Sequence, residues 1–522
     1  MSVRTRLKPG IYQDSVRLMR ISDELAHLPG VAQSVVGMAT DANLRLLSEA
    51  GLLDDALSGA KSDDLVIAVE AGDDAAADAA VTRAEELLVA AAQPRVGDGA
   101  GPEPARTLGK AVTRLGGAEI AIVSVAGEYA ALEAAHAIEA GCHVLLFSDN
   151  VSIEDERDLK EQAVRRRLLV MGPGAGTAII DGVALAFANR VRSGPIGVVA
   201  GSGTGLQEFT VLVHRGGSGI SQGIGTGGRD LRVAVGGLTT RLGLELLTED
   251  PDTKVIALLS KPPEKVVADQ VLAQARECGK PVIVGYLGGE PTSVQGENLT
   301  FARTLEEAAT RALQALDGST ADPFEGRAGE IEELAAAAAA KLAPGQKYLR
   351  GLYSGGSLCD ESLLILRDPA MGLGTVLSNA GGDPNLLLAD AWKSEGHALV
   401  DLGEEEFTRG RPHPMIDPRL RVDRILQEGA DPETAVLLLD VVIGYGSNDD
   451  PAGALAPAIR EARAAAAAGG RELAVVAHVL GTDLDPQGLD RQEETLRAAG
   501  VIVQPTNAKA ARLAGLIVSG RA

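Results

Sequence analysis

The sequence predicts an α/β protein built from several flavodoxin-like or Rossmann-like parallel-sheet domains, preceded by a small α+β domain. Apolar runs such as "AEIAIVSV" and "HVLLFSD" alternate with helical patterns, which is typical of parallel strands buried on both faces. The chain has 522 residues, too many for a single core. Aromatic residues make up only 2% of it, so aliphatic side chains must fill the cores.

Residues 1–95 form the first predicted domain, for which a ferredoxin-like arrangement is the candidate. Strand patterns in "YQDSVRLM", "VAQSVVGMA" and "DDLVIAVEA" alternate there with short helical patterns. The stretch that follows, "QPRVGDGAGPEP", is rich in glycine and proline and is therefore predicted to be a linker.

Three α/β domains are predicted beyond this linker, over residues 105–192, 193–320 and 345–522. In each of them buried strand patterns alternate with helical patterns, as a parallel sheet with crossover helices requires. An alanine-rich stretch, "IEELAAAAAAKLAPGQKYLRG", separates the last two domains and is interpreted as an ordinary helix of good helix formers followed by a hinge.

Charge and cysteine content exclude several classes of function. The formal net charge of −23 argues against nucleic acid and anionic membrane surfaces as partners. The three cysteines lie far apart, so neither a disulfide framework nor a structural zinc site is expected. With no apolar N-terminal segment and no apolar span of membrane length, we expect a soluble cytoplasmic protein.

Four glycine-rich turns end predicted strands and are candidate anion sites. They are "GVVAGSGTGLQE", "MGPGAGTA", "GISQGIGTGGRD" and "VVIGYGSNDDPAG". Free amides at a helix start, together with the helix dipole, favour an anion. For one such turn, the need for a tight connection is explanation enough. Four of them favour the hypothesis that two helix N-termini, in separate domains, face one anion. The candidate phosphate ligands are Gly201, Ser202, Gly203, Thr204, Gly205, Gly444, Gly446, Ser447 and Asn448.

The segment "RGRPHPMID" is a second candidate, because two prolines hold its charged side chains in a rigid loop. Arg409 and Arg411 could clamp a carboxylate or phosphate, with His413 and Asp417 beside them. A surface loop held by salt bridges explains the same spacing equally well.

Other reactive side chains are interpreted as structural. Asp449 and Asp450 follow a glycine turn and are expected to cap a helix. Cys359 has no histidine near it in the sequence and is expected to be an ordinary buried thiol. His214, His397 and His478 have no partner at metal-ligand spacing, so they are expected to be structural or solvent-facing, and no metal site is predicted.

The longest quoted stretches resemble the succinyl-CoA synthetases. The run from "TLGKAVTRLGG" to "LLVMGPGAGT", then "GVVAGSGTGLQE", "GISQGIGTGG" and "CGKPVIVGYLGG", is similar to their α subunit, in the same order. "GTVLSNAGGDPNLLLADAWKSEGHALVDLG" followed by "GYGSNDD" is similar to the carboxy-terminal domain of their β subunit. Over nearly the whole chain, "RGLYSGGSLCDES" and "DLGEEEFTRGRPHPMIDPRLR" identify it as resembling the FdrA family of synthetase-like proteins.

The chain departs from the synthetase pattern at the residues that carry out the synthetase reaction. "EPTSVQGENLTF" follows "PVIVGYLGG" where the synthetases carry their phosphorylated histidine, and Lys261 stands where they have a glutamate. A lysine can hold an anion there. The sequence has no ATP-grasp segment and no glycine-rich loop for the CoA diphosphate, so no cofactor is expected and CoA binding is not predicted.

What the FdrA resemblance implies is carbamoyl transfer: a subunit of an oxamate carbamoyltransferase-like enzyme of allantoin catabolism, handling carbamoyl phosphate or another acyl phosphate. The amides after Gly201 and Gly444 would hold the phosphate. Lys261, Arg411 and His413 are the candidate catalytic residues, and Lys261 or an arginine would offset charge on the leaving phosphate. Arg409, Gly225, Gly227 and Asn379 are the candidate substrate contacts.

Two alternatives remain open from the sequence. One is a subunit of an NDP-forming acyl-CoA ligase that needs an ATP-grasp partner, and it predicts CoA binding. The other is a noncatalytic scaffold or regulatory subunit in which the glycine turns are vestigial. Further enzyme subunits and an oligomeric assembly are expected partners for a catalytic subunit.

Overall fold

The computed structural model describes residues 2–11, 13, 15–26, 28–40, 43–44, 47–48, 51–53, 57, 59–61, 64–90, 105–327, 329–381, 383–409 and 411–519. Residue contacts divide the chain into two units. The first comprises Met1–Pro104 and Glu404–His413, and the second comprises Ala105–Gly403 and Pro414–Ala522. The linker predicted in "QPRVGDGAGPEP" lies outside the described residues.

The first unit contains a three-stranded antiparallel sheet, and two of its helices, Ser15–Ala26 and Asp74–Ala90, pack against that sheet. Strand β3 lies between β1 and β2 and is antiparallel to both. A strand inserted between two parallel strands is the split βαβ arrangement of ferredoxin-like domains. Leu18, Leu25 and Ala84 of the helices share a core with Ile67 and Val69 of the central strand. The elements are β1 (Ser2–Lys8), α1 (Ser15–Ala26), β2 (Val31–Met38), β3 (Leu65–Ala71) and α2 (Asp74–Ala90).

The second unit begins with a small parallel sheet in the order β4-β5-β6. Thr107 and Ser152 start two of its helices, since each side chain accepts a backbone N–H three residues on. Ala130, Ala134 and Ile138 form one buried helix face against the sheet. The elements are α3 (Leu108–Leu115), β4 (Ile120–Val123), α4 (Gly127–Glu139), β5 (His143–Leu146), α5 (Ile153–Val164) and β6 (Val170–Met171).

A seven-stranded sheet follows, in the order β13-β12-β11-β9-β10-β7-β8. Strands β9 to β13 are parallel and have the flavodoxin strand order, whereas β7 and β8 are antiparallel additions at one edge. The elements are β7 (Thr177–Ile180), β8 (Val183–Ala186), β9 (Ser193–Ala200), α6 (Gly203–Arg215), β10 (Ile220–Gly225), α7 (Leu238–Glu249), β11 (Val255–Ser260), α8 (Lys265–Glu277), β12 (Val282–Tyr286), β13 (Leu299–Phe301), α9 (Leu305–Asp317) and α10 (Glu330–Ala339).

The β7–β8 hairpin belongs to this sheet, although the sequence analysis placed its residues in the domain at 105–192. Ile180 pairs with Val183 across the two-residue turn Asp181–Gly182, where both residues have positive φ. An Asp-Gly pair favours this kind of tight hairpin, and the hairpin joins the sheet because β7 pairs with Gly223 of β10.

The last sheet is six-stranded and fully parallel, in the order β15-β16-β14-β17-β18-β19. Without β15 at its edge it has the same flavodoxin order as the preceding sheet. The elements are β14 (Tyr348–Tyr353), α11 (Gly356–Leu366), β15 (Val376–Ser378), β16 (His397–Asp401), α12 (Arg419–Ala430), β17 (Thr434–Val442), α13 (Pro451–Ala468), β18 (Ala474–Leu480), α14 (Leu489–Ala498), β19 (Ile502–Gln504) and α15 (Asn507–Val518).

Helices α6, α9, α11 and α15 join the two flavodoxin-ordered domains through one continuous apolar core. Phe209, Ala308, Leu358 and Leu513, one from each of these helices, are buried in it. The predicted fold class, α/β with several parallel sheets, is therefore confirmed. In the described part of the chain, no helix has the length and apolar character needed to cross a membrane.

Candidate functional site

The strand order of each flavodoxin-like sheet reverses beside its first strand. Strand β9 lies between β10 and β11, and β14 lies between β16 and β17. In open parallel sheets, the crevice outside the carboxyl ends of the strands at such a point is where ligands bind. The helices that leave β9 and β14, α6 and α11, therefore start at the two candidate crevices.

Helix α6 starts as the sequence predicts. Ser202 is its N-cap, with its Oγ accepting the Gly205 N–H at 3.1 Å. Gly203 and Thr204 form the first helical residues, where amides have no intrahelical acceptor. Gly201 directly follows β9 and lies beside Ser260 of β11, so the turn lies at the point where the strand order reverses.

The start of α11 meets the start of α6. The hydroxyl groups of Ser202 and Ser357 contact each other, and the Ser357 N–H donates to Thr204 Oγ1 at 3.2 Å. A Cβ on Gly355 would lie 3.1 Å from Thr204 Cγ2, so any other residue would push the two helix starts apart by a few tenths of an ångström. The two candidate crevices thus form one junction between α6 and α11.

The second helix N-terminus differs from the one predicted. The sequence analysis paired Gly201 with the Gly444 turn, but the structure brings α6 together with "SGGSL", Ser354 to Leu358. The signal was present in the sequence, since a buried strand "YLRGLY" runs through two glycines into a helix.

The amides of the Gly444 turn bond elsewhere in the chain. Gly444 N–H donates to Gln487 Oε1 at 3.0 Å, Tyr445 N–H to Ala188 O at 2.9 Å, and Asn448 N–H to Met415 O at 2.8 Å. Ser447 and Gly446 lie within the same turn, while helix α13 begins only at Pro451. The amides of Gly444, Tyr445 and Asn448 are therefore used within the protein, and the turn is not a helix start.

The capping role predicted after this turn is observed for one of the two aspartates. Asp450 is the N-cap of α13, and its Oδ1 accepts the Gly453 N–H at 3.4 Å. This bond supports the start of the helix.

Asp440 occupies the donor groups that precede α11. This fully buried carboxylate on β17 accepts the Ser354 N–H at 2.9 Å and the Gly355 N–H at 2.8 Å. Arg421 neutralises it through an ion pair of 3.0 Å. A protein carboxylate already binds these amides before α11. An external anion is therefore expected to bind to the free amides at the start of α6 rather than to those before α11.

Lys261 lies at the junction and bridges the two domains. It follows β11 directly, and its Nζ lies 2.8 Å from Asp360 Oδ2 on α11. Its side chain is 52% exposed, so the ammonium group can also reach solvent. The lysine predicted to hold an anion therefore has a carboxylate of the protein as its partner in this structure.

Three of the predicted substrate contacts have structural roles. A Cβ on Gly225 would lie 2.3 Å from Thr177 O, and one on Gly227 would lie 2.8 Å from Pro173 O, so both glycines allow close backbone packing. Asn379 donates from Nδ2 to Asp401 O at 2.9 Å and accepts the Asp401 N–H at 2.8 Å. All three residues thus hold the loops at the carboxyl edge of the sheets.

The Pro-containing loop divides between the two units. Arg409, Arg411 and His413 belong to the first unit and Asp417 to the second. Arg409 pairs with Glu405 at 2.5 Å on an exposed helical turn, Glu405–Thr408, and Asp417 pairs with Arg419 at 2.5 Å. Salt bridges therefore hold parts of this loop, as one of the two interpretations expected.

A buried glutamate–histidine pair, which sequence reasoning missed, connects α6 to the last sheet. Glu208 on α6 is 2.9 Å from His478 Nε2 on β18, and both side chains are buried. Burial opposes ionisation of Glu208, but His478 and Arg215 hold the pKa of this carboxyl below its ordinary value. No local pattern marks such a pair, because its members are far apart in the sequence.

The other side chains considered for chemistry are buried as well. His214 bonds to Asp483 at 2.6 Å and His397 accepts the Leu349 N–H at 3.1 Å, so with His478 all three histidines are structural rather than solvent-facing. Burial raises the pKa of the Cys359 thiol well above its ordinary value, as expected for an unreactive thiol. Within the described ranges, no group of three or more histidine, cysteine or acidic side chains could hold a metal ion.

Comparison with known proteins identifies relatives of both ends of the chain. The family model of the CoA-ligase domain matches residues 352–517, which include α11 and most of the last sheet. A second model, described as the AllF heavy metal-associated domain, matches residues 1–104. The uncharacterized protein YahF of Escherichia coli K12 is 44% identical over 516 residues, which cover 98% of each chain.

The chain belongs to the YahF family. More distant relatives match this YahF-family chain over about a third of its length. The ADP-forming sulfoacetate-CoA ligase subunit SqwL of an Acholeplasma species is 27% identical over 179 residues, 32% of this chain and 58% of its own. The α subunit of the ADP-forming succinate–CoA ligase of Aquifex aeolicus is 26% identical over 182 residues, 33% and 57% of the two chains.

Among solved structures, the dinucleotide-forming acetyl-coenzyme A synthetase 1 of Ca. Korarchaeum cryptofilum is similar to this YahF-family chain at 15% identity, with a TM-score of 0.32. The similarity covers 82% of this chain and 88% of the synthetase.

Proposed function

We propose that this chain is a subunit of an NDP-forming acyl-CoA ligase-type enzyme, in which the α6–α11 junction binds the phosphate of an acyl phosphate. The contact between Ser202 and Ser357 carries the proposal, because it brings the two strand-reversal crevices together at one point. The match of the CoA-ligase domain model to residues 352–517 supports the same class.

In this proposal the amides of Gly203 and Thr204 bind the phosphate oxygens, with the α6 dipole behind them. Lys261 turns from Asp360 to the phosphate and offsets the charge that develops on it as it leaves. The thiol of CoA attacks the acyl carbon, the bond from that carbon to the phosphate oxygen breaks, and the thiol proton passes to solvent. A partner subunit of the ATP-grasp type would supply the acyl phosphate.

Carbamoyl transfer of the oxamate carbamoyltransferase type, as in the FdrA family, is the second candidate. The observation that favours it is the absence of histidine from "EPTSVQGENLTF", which follows β12 and ends with β13. Phosphate would attack the carbamoyl carbon, the carbon–nitrogen bond would break, and the leaving nitrogen would take up the proton. Attack by a bound phosphate needs positioning more than a protein nucleophile.

Isothermal titration of the purified chain with inorganic phosphate, acetyl phosphate, carbamoyl phosphate and CoA tests both candidates. The variant Gly203→Asp places a carboxylate at the start of α6, where a Cβ would be 3.4 Å from Thr177 Oγ1 and so has room. Gly109→Asp, at the second residue of α3, is the matched control, since a Cβ there meets nothing within 4 Å.

We expect phosphate and the acyl phosphates to bind to the wild type and to Gly109→Asp, and binding to weaken at least about tenfold in Gly203→Asp. Binding of CoA together with acetyl phosphate would support the ligase. Binding of carbamoyl phosphate without CoA would favour carbamoyl transfer. If none of the four compounds binds, or if Gly203→Asp binds them as tightly as wild type, the phosphate site is wrong and a scaffold role gains support.

A further inference from the structure

The ion pair between Lys261 and Asp360 lies next to the contact between the two helix starts. Ser357 and Asp360 are three residues apart on α11, so their side chains lie on the same face of that helix. Ser357 contacts Ser202, the N-cap of α6, and Asp360 Oδ2 lies 2.8 Å from Lys261 Nζ. Three residues of an α-helix span about 4.5 Å, so the ion pair is about one helical turn away from the start of α6.

The backbone of Lys261 is held close to the same helix start. Lys261 directly follows β11, and the last residue of this strand, Ser260, has its Cβ 3.4 Å from the position that a Cβ on Gly201 would take. The turn from Gly201 leads directly into α6. The side chain of a lysine has a flexible four-carbon stem, so its ammonium group can move between Asp360 and the amides that begin α6.

The two members of the ion pair differ in burial. The side chain of Asp360 is 14% exposed, whereas that of Lys261 is 52% exposed. Asp360 Oδ2, the oxygen that faces Lys261, is buried and accepts no hydrogen bond within the described part of the chain. The carboxylate is therefore fixed in the protein and depends on the lysine charge, whereas the lysine is the partner that is free to move.

Other buried carboxylates surround the start of α11. Asp440 accepts two backbone N–H groups just before this helix. Asp401 Oδ2 would lie only 2.7 Å from a Cβ on Gly356, the first residue of the helix. If Lys261 moves towards a ligand, Asp360 loses a positive charge in a region that is already rich in carboxylates, and this loss opposes the movement.

We propose that Asp360 competes with phosphate for Lys261 and so regulates the affinity of the junction. In the free protein Asp360 holds the ammonium group away from the start of α6, and a phosphate binds there by displacing Asp360 from it. This inference rests on the phosphate site of the proposed function. A site that is partly occupied by its own competitor binds ligand more weakly in proportion, so removing the competitor raises the affinity.

Isothermal titration of the full chain with inorganic phosphate tests this competition. Asp360→Asn removes the carboxylate charge with little change of shape, Lys261→Met removes the ammonium group, and the double variant removes both. Asp269→Asn is the matched control, because Asp269 pairs with Lys265 at the same distance of 2.8 Å but on the exposed surface of α8. Thermal unfolding of each variant shows whether it is folded.

We expect Asp360→Asn to bind phosphate at least about threefold more tightly than wild type, and Asp269→Asn to bind it as wild type does. Lys261→Met should bind phosphate more weakly. In the Lys261→Met background, Asp360→Asn should add no further gain, because no lysine is left to release. A purely structural role of Asp360 would weaken binding or leave it unchanged, so a gain in affinity separates competition from such a role.

Gly203→Asp added to Asp360→Asn should remove the gain, which places the gain at the start of α6. An unchanged or weaker affinity in folded Asp360→Asn would overturn the competition even where Gly203→Asp confirms the phosphate site. So would an equal gain with and without Lys261, since the effect would then be repulsion alone. If phosphate binds to neither wild type nor Asp360→Asn, the phosphate site itself is wrong, and the competition with it.

Discussion

Glu208 and Glu361 are the sixth residues of α6 and α11, and each caps a helix of the other flavodoxin-like domain. Glu208 Oε1 accepts the N–H of Asn507, the first residue of α15, at 3.4 Å. Glu361 Oε1 accepts the N–H of Leu305, the first residue of α9, at 2.6 Å. The two domains are therefore joined by a reciprocal pair of helix caps, with an approximate two-fold relationship between them.

The charges of this pair are not symmetric. Glu208 has His478 beside it, whereas the other neighbour of Glu361 is the neutral amide of Asn507, at 2.7 Å from Oε2. Burial, and then the charge of Glu208, raises the pKa of Glu361 to about 8.

Glu361→Gln should remove a pH dependence of stability. The folded chain keeps a proton on Glu361 between the ordinary pKa of 4.5 and about 8, where the unfolded chain has released it. Rising pH across this window therefore lowers the free energy of unfolding. Relative to wild type, we expect the variant to gain stability on the order of a few kcal/mol between about pH 5 and pH 8.5, measured by urea denaturation.

The exposed Glu128→Gln on α4 controls for the loss of one carboxyl group and should follow the wild-type profile. Parallel pH profiles for Glu361→Gln and wild type would contradict the raised pKa.

His397 should make the free energy of unfolding depend on pH in the opposite direction, and at lower pH than Glu361 does. Burial, and then the charge of Arg350, lowers its pKa from 6.5 to about 4, and its Nε2 has no partner among the described residues. Between these values the unfolded chain binds a proton that the folded chain does not, so stability is lost as the pH falls from about 6.5 to about 4.

His397→Asn keeps an acceptor for the Leu349 N–H and cannot titrate. We expect it to unfold more easily than wild type at neutral pH, since it loses the edge contact with the Tyr348 ring, but to lose less stability on acidification. The measurement is urea denaturation at about pH 4.5 and pH 7, with the exposed His136→Asn as control. Equal acid sensitivity in His397→Asn and wild type would exclude His397 as the cause.

Lys160→Met should strongly destabilise the second unit. Lys160 Nζ lies 2.9 Å from Glu156 and 2.8 Å from Asp230, and all three side chains are fully buried. Removing the ammonium group leaves two buried carboxylates without the positive charge between them. This loss costs about 3–5 kcal/mol of stability. Denaturant unfolding measures the loss, and the exposed Lys110→Met should change little. A loss under about 1 kcal/mol would show that the cluster tolerates the missing charge.

The junction of Ser202 and Ser357 can be measured with a double-mutant cycle. Ser202→Ala alone removes the cap of Gly205 as well as the contact with Ser357, so we expect a loss of about 1–2 kcal/mol. The pair Ser202→Ala and Ser357→Ala should show a coupling of about 0.5–1.5 kcal/mol. Ser152→Ala, which removes the cap of α5, is the distant partner that should add independently to Ser202→Ala. A coupling free energy of zero would show that the contact between Ser202 and Ser357 does not help to join α6 and α11.

The sequence allowed the start of α6 to be predicted because that feature is local. A buried strand, three glycines and a Ser N-cap within "VVAGSGTG" are sufficient to define it. The alternation of apolar strands with helices likewise predicted the fold class.

The partner of α6 could not be predicted in the same way. The turns at Gly355 and Gly444 have similar local patterns, and the difference between them comes from distant residues. Asp440 and Thr204 hold the first, whereas Gln487 and Ala188 bond to the second. Which turn faces α6 is decided by the packing of two sheets, and a pattern within one segment does not contain that information. The ion pair of Lys261 with Asp360 is hidden for the same reason.

Because of the reciprocal caps, each flavodoxin-like domain needs the other to complete one of its helix starts. Between α10 and β14 the chain passes from one to the other through an exposed stretch that includes Pro344 and Gly345. A fragment ending there would leave Glu208 without its partner His478, and its complement would lose the acceptor for Asn507. Two such fragments made in the same cell should therefore rescue each other and associate as a heterodimer, so that the peptide bond at Gly345 is dispensable once both are present.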